Sequence, residues 1–188
     1  MTVADTLPAA VRQWQAGGRM VATPFGRVFV RSSPDLGDSP TIVLLHGFPS
    51  SSYDYREVTD RLVDRPWITL DFLGFGLSDK PRPHRYSLFE QADIVQFVLI
   101  QAGVKQVALI AHDMGTSVAT ELLARDIAGV LPFDLQRAVL SNGSVIIERA
   151  SLRLSQKVLR GPLGPLAARL ITERGFVRGF AELFSVAT

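Results

Sequence analysis

The 188-residue sequence contains no cysteine, which excludes disulfides, thiolate nucleophiles and thiolate-held metals and leaves the redox compartment open. Histidine is nearly as scarce: His46, His84 and His112 are the whole supply. A surplus of one charge is also lacking. Twenty Lys and Arg face eighteen Asp and Glu for a net charge of +2, and the basic residues are scattered, so no nucleic-acid partner is expected. No apolar run approaches the roughly 18 residues of a membrane span. The opening MTVADTLPAAVRQWQAGG mixes acids and Gln among its apolar residues, unlike a charged n-region followed by an apolar h-region. Neither a secretory signal nor a membrane span is expected, and the cytoplasm is the default. No metal and no cofactor are expected either. Internal repeats and low-complexity tracts are absent. What is present is ordinary for a soluble globular protein: 47% hydrophobic and 20% charged residues, one domain's worth of chain with material for a sizeable core.

Taken in order, Leu7–Gln15 reads as a short amphipathic helix stopped at Gly17-Gly18. Met20–Ala22 and Arg27–Arg31 alternate in strand fashion around Pro24–Gly26, a hairpin signal. Thr41–Leu45, TIVLL, is apolar on both faces, as a central strand of a covered parallel sheet would be, and ends in His46-Gly47-Phe48-Pro49. Ser50–Asp64 begins with hydroxyl residues suited to an N-cap and continues at helical spacing. Trp67–Leu70 is the next strand, running into an ordered loop, Asp71–Pro81, marked by two glycines and a proline. Ser87–Gly103 is the clearest helix, with Ser87 and Glu90 at capping-box spacing and Leu88, Ala92, Val95, Leu99 and Ala102 on one face. Val107–Ala111 is a strand, Met114 onward a helix, and Arg137–Leu140 a further strand ending at Ser141-Asn142-Gly143. Alternating strands and helices with short connections predict an open, mostly parallel α/β sheet, whose ligand crevice lies at the carboxyl ends of the strands. His46, Asp71, Asp113 and Asn142 all fall at such ends.

Asp113 stands between the strand and the helix of VALIAHDMGTSV, flanked two places either side by Ala111 and Gly115. A side chain on so sharp a turn sits in strained backbone, and bulk at the flanking positions would clash. The small-x-Asp-x-small spacing therefore matches a nucleophile elbow with Asp in place of Ser. The helix N-terminus favours the negative charge. Asp113 as a plain N-cap is the alternative. Ser117 lies a full turn inside the helix, too far along to be the elbow nucleophile. Gly74-Phe75-Gly76 lacks the third glycine of a dinucleotide fingerprint.

HGFPSSSYDY (46–55), DFLGFGLSDKPRPHRYS (71–87) and AHDMG (111–115) together resemble the Asp-nucleophile branch of the α/β-hydrolase superfamily, which holds epoxide hydrolases and haloalkane dehalogenases. The wording of DFLGFGLSDKPRPHRYSLFEQADIV is especially similar to the mesoderm-specific transcript family. The resemblance runs from about Met20 to Thr188. It implies that Asp113 attacks an electrophilic carbon of a small hydrophobic substrate and forms an ester that water then hydrolyses. It also implies an oxyanion hole made by the backbone N–H groups of Phe48 and Met114, in a site lined by His46, Gly47, Pro49, His112 and Asn142. A satisfied structural histidine is the competing reading of His46, local bonding is expected of His112, loop ordering of Asp71–Pro81, and a surface position of His84. Many dehalogenases of the branch carry Asn where Phe48 stands and Trp where Met114 stands, both donors to the departing halide. Their replacement shifts the expectation toward epoxide or related C–O chemistry. Epoxide opening in the family uses cap tyrosines, yet Tyr53, Tyr55 and Tyr86 all precede the segment that would be the cap.

The resemblance divides the chain into an N-terminal part of the hydrolase core, 1–145, and a partial helical cap, 146–188, basic and Leu-rich, with the C-terminal strands missing. The family's catalytic histidine would follow its last strand, and none of the three histidines here can be that residue. The slot for the acid after the strand at Arg137–Leu140 holds Ser141-Asn142-Gly143, and Glu148 is a weak substitute. Two expectations follow: a hydrolase that is alkylated at Asp113 but does not turn over, or an inactive relative that acts, if at all, by binding. An exposed sheet edge and an uncovered cap lead to an expectation of self-association.

Overall fold

The computed structural model describes residues 7–36, 39–143 and, farther on, Gly161, Gly164, Leu170, Thr172, Arg174 and Gly175. The reading of 146–188 as a partial helical cap falls, but for those six residues, outside the described residues, and so does that of Glu148 as a substitute acid. The chain divides into two compact units, Met1–Val145 and Ile146–Thr188.

The first unit is built on a six-stranded sheet. A helix, α1 (Ala9–Ala16), precedes the hairpin β1 (Arg19–Thr23) and β2 (Gly26–Ser32). Then come β3 (Thr41–Leu45), a 3-10 turn (Ser52–Tyr55) running into α2 (Arg56–Thr59), β4 (Trp67–Leu70), α3 (Leu88–Gln101), β5 (Gln106–His112), α4 (Met114–Ile127) and β6 (Asp134–Ser141). The strand order is β1-β2-β4-β3-β5-β6. β4, β3, β5 and β6 are mutually parallel, and the β1–β2 hairpin joins β4 antiparallel, with Val30 opposite Leu70. The sheet is thus mostly parallel.

The central strands are apolar because both faces are covered. Val43, Leu44 and Leu45 of β3 are fully buried, as are Ile68, Thr69 and Leu70 of β4. Ala92, Val95 and Leu99 of α3 join Val118, Ala119 and Leu122 of α4 in the same core. Each such Leu or Val contributes about 1.5–3 kcal/mol by leaving water. Arg125 of α4 ties the two helices at their polar rim, bonding Asp93 (2.7 Å) and Gln96 (3.0 Å) of α3 and Glu121 (2.8 Å) on its own helix. β6 closes the row as its outer strand, with Val139 and Leu140 exposed.

Three sequence readings are corrected. Ser50–Asp64 is not a regular helix but the 3-10 turn and a single helical turn, Arg56–Thr59. Long-range bonds account for it: Asp71 takes both the amide and the hydroxyl of Ser52, and the Tyr55 hydroxyl donates to Leu45 O. At the start of α3, Ser87 caps through Phe89 N, while Glu90 turns to His84 (2.8 Å) and completes no capping box. His84 is accordingly half-buried rather than a bare surface residue. Among the described residues no helix is long and apolar enough to cross a membrane.

Candidate active site

The site assembles where β3 and β5 end side by side, Leu45 paired with Ala111. Past Ala111 and His112 the chain reverses into α4, and Asp113 takes φ 50° and ψ −117°. A non-glycine residue there costs on the order of 1–3 kcal/mol and persists only where its surroundings over-determine it. They do so here. Asp113 N donates to Ser141 O (3.0 Å), and Asp113 O accepts from both Thr116 N (3.0 Å) and Thr116 Oγ1 (2.6 Å).

The flanking residues are small for a steric reason that can be measured. A Cβ on Gly115 would overlap Leu45 O and stand 2.8 Å from His46 O, so helix α4 packs by bare backbone on the end of β3. A Cβ on Gly47 would stand 2.7 Å from the Cβ of Asp113 and 3.0 Å from His112 Nδ1. This close approach brings the loop after β3 against the carboxylate. Asp113 Oδ1 accepts two backbone N–H groups, from Phe48 (3.0 Å) and from Met114 (2.6 Å). Both are bonds to a charged acceptor, about twice as strong as neutral ones. No described residue bonds Oδ2. One oxygen of this half-buried side chain is thus clamped, and no described residue ties the other.

Asp113, Phe48 and Met114 are brought together, with Gly47 pressed against them. Pro49 follows in the same loop, half-buried. His46 corrects its placement as a lining residue. Its ring is fully buried, 4.5 Å from that of Phe72, and both nitrogens are engaged: Nε2 accepts from Phe72 N (3.0 Å) and Nδ1 donates to Gly47 O (2.8 Å). It supports the loop from behind as a neutral imidazole, and burial pushes its pKa down. His112 is exposed, and its Nε2 accepts from Asn142 Nδ2 (3.2 Å), so that proton sits on Nδ1.

Asp71 orders the following loop. Oδ1 accepts Ser52 N (2.7 Å) and Ser52 Oγ (2.5 Å), Oδ2 accepts Leu77 N (2.7 Å), and a Cβ on Gly76 would overlap the carboxylate. Gln91 of α3 completes the frame by bonding Leu73 N and Leu73 O. Between that loop and the start of α3 lies a cleft of about 330 Å³, walled by Phe75, Lys80, Tyr86, Leu88 and, at the elbow, Met114. It is at the lower end of the size range of small-molecule sites. Among the described residues no cluster of His, Asp and Glu could hold a metal. Sequence reasoning missed Thr116, whose hydroxyl bonds the elbow carbonyl. A hydroxyl residue three places after a candidate N-cap Asp was its only local signal.

Comparison with known proteins agrees with this geometry. Residues 40–161 match the family model described as the alpha/beta hydrolase fold. The protein LipZ of Mycobacterium tuberculosis is 64% identical over 178 residues, covering 95% of this chain and 61% of LipZ. The mesoderm-specific transcript protein of Mus musculus is 41% identical over 192 residues, covering 97% of this chain and 57% of that protein. A loop variant of a haloalkane dehalogenase from Bradyrhizobium elkanii superposes with a TM-score of 0.57 at 28% identity, covering 65% of this chain and 39% of the dehalogenase. The chain spans about three-fifths of the length of these two relatives. With an elbow, a parallel sheet and a family match that coincide, the chain belongs to the α/β hydrolase fold family, in the neighbourhood of the haloalkane dehalogenases.

Proposed function

We infer that Asp113 is the nucleophile of an ester-forming hydrolase reaction on a small, largely apolar electrophile. The observation that carries this reading is the asymmetry of its carboxylate: Oδ1 held by Phe48 N and Met114 N, Oδ2 unbonded by any described residue. In the first step Oδ2 attacks the electrophilic carbon from behind. The C–O bond of an epoxide breaks as the new ester bond forms, and the released alkoxide takes a proton from water. The unreacted Oδ1 becomes the ester carbonyl oxygen. When water later attacks that carbonyl, charge develops on Oδ1, and the same two N–H groups are already aimed at it. An epoxide or related C–O substrate is favoured over a haloalkane, because Phe48 and Met114 carry no side-chain donor for a leaving halide.

The second step needs a base. His46 has both nitrogens occupied in the core, His84 is bonded to Glu90, and His112 is bonded to Asn142. These 188 residues thus support ester formation without rapid ester hydrolysis, a loss of about 10²–10⁴ in that step. Rapid-quench kinetics with a chromophore-labelled epoxide, read as label bound covalently to the chain, test the assignment. The expected result is a burst of one equivalent per chain with no steady state, absent in Asp113→Asn, whose side-chain oxygen still accepts the two amides. Equal bursts in the two proteins would overturn it.

A further inference from the structure

The end of β6 does more than close the sheet. Three consecutive residues there reach the elbow by three different means. Ser141 O accepts Asp113 N at 3.0 Å. Asn142 donates its side-chain amide to His112 Nε2 at 3.2 Å. Gly143 packs on Thr116, whose Cβ would stand 2.8 Å from a Cβ placed at Gly143, and Thr116 in turn donates twice to Asp113 O. The two positive-φ residues of the described chain other than glycine are Asp113 at 50° and Asn142 at 54°, and they face one another across this junction. A left-handed backbone is one that Asn tolerates better than most residues. Asn142 takes it at the point where its side chain reaches back to the residue that precedes the nucleophile.

We propose that Asn142, with Gly143 beside it, is a positioning residue for Asp113: the turn after β6 braces the strained elbow and fixes the aim of its carboxylate. It acts through His112 and Thr116 and touches no reacting atom. Without it, the peptide around Asp113 is free to relax from φ 50° toward commoner geometry, carrying Oδ1 off the two amides. The proposal rests on the nucleophile reading for one of its two readouts only.

The test compares Asn142→Gly, which keeps the left-handed backbone and removes the amide, with His112→Ala, His112→Gln and the double variant Asn142→Gly/His112→Ala. With styrene oxide as the probe, Asn142→Gly is expected to lower the first-order alkylation rate at saturation by about tenfold, leaving the half-saturating concentration unchanged. His112→Ala should do the same, and the double variant should lose no more than either single one. His112→Gln, which offers an oxygen to the Asn142 amide, should recover most of the rate. In parallel, hydrogen exchange at the Asp113 and Met114 amides should quicken about tenfold in Asn142→Gly, while Leu44 and Leu45 exchange as before. Wild-type exchange at Asp113 and Met114 in Asn142→Gly, or losses that add in the double variant, would overturn the proposal. A wild-type chain that is not alkylated at Asp113 contradicts the nucleophile reading instead, and the exchange data then decide the brace alone.

Discussion

Gly115→Ala separates the close-packed elbow from helix propensity, because the two predict opposite signs. By propensity, alanine in the first turn of α4 should stabilise the protein by up to about 1 kcal/mol. By geometry it should not. The new methyl overlaps Leu45 O and lies 2.8 Å from His46 O, both backbone atoms of a buried strand end that cannot rotate away. Relief requires the helix start to draw back until that 2.8 Å opens to 3.4 Å or more. Met114 and Asp113 move with it, and the 3.0 Å bond from Phe48 N to Oδ1 passes out of hydrogen-bonding range. Overpacking and the lost charge-assisted bond together set a cost of about 2–4 kcal/mol. For a domain of this size the midpoint should drop by about 5–15 °C in a thermal melt followed by circular dichroism. Alkylation of Asp113 should slow about a hundredfold, since misplacement approaching 1 Å is enough. Gly129→Ala is the control: its φ is +68° and nothing lies within 4 Å of the new atom, so only backbone strain of about 1–2 kcal/mol is incurred. Its alkylation rate should be unchanged. A Gly115→Ala protein as stable as the wild type, alkylated at the wild-type rate, would refute the packing argument.

Other perturbations probe the frame behind the site. Asp71→Asn replaces an acceptor for three bonds with a group that must present an N–H to either Ser52 or Leu77 N, and urea unfolding should show a loss of about 2–4 kcal/mol. Tyr55→Phe removes the hydroxyl bonded to Leu45 O and should cost about 1 kcal/mol by the same measurement, with the burst amplitude retained. His46 is a buried neutral base whose pKa is lowered below 6.5, so the unfolded chain binds a proton that the folded chain refuses. Its contribution is therefore whole above about pH 6.5 and is lost as pH falls toward the folded-state value, with a slope of at most about 1.4 kcal/mol per pH unit. Denaturation midpoints between pH 7 and pH 5 should fall less steeply in His46→Gln than in the wild type.

Much of the fold was legible because its central strands announce themselves. Thr41–Leu45 and Trp67–Leu70 have the bounds read from the sequence, each an apolar run between turn-formers that only a doubly covered parallel strand accommodates. The elbow was legible too, from the Ala111–Asp113–Gly115 spacing, although the atoms that require Gly115 to be small, Leu45 O and His46 O, are distant in sequence. What stayed hidden depends on partners distant in sequence. Ser50–Asp64 has helical spacing, yet Ser52 is captured by a carboxylate 19 residues away. The ring of His46 belongs to the core because Phe72 N, 26 residues on, needs an acceptor. Asn142 and His112, 30 apart, meet only because β5 and β6 lie in register, His112 opposite Ser141. No periodicity reports such pairs.

The most direct measurement is peptide mapping by mass spectrometry after the chain is incubated with an excess of styrene oxide. The account predicts one alkyl group per chain, attached as a base-labile ester on the peptide that carries Asp113, and none on that peptide in Asp113→Asn. An unmodified Asp113 peptide in the folded wild-type chain, or an adduct carried instead by a histidine, would contradict it.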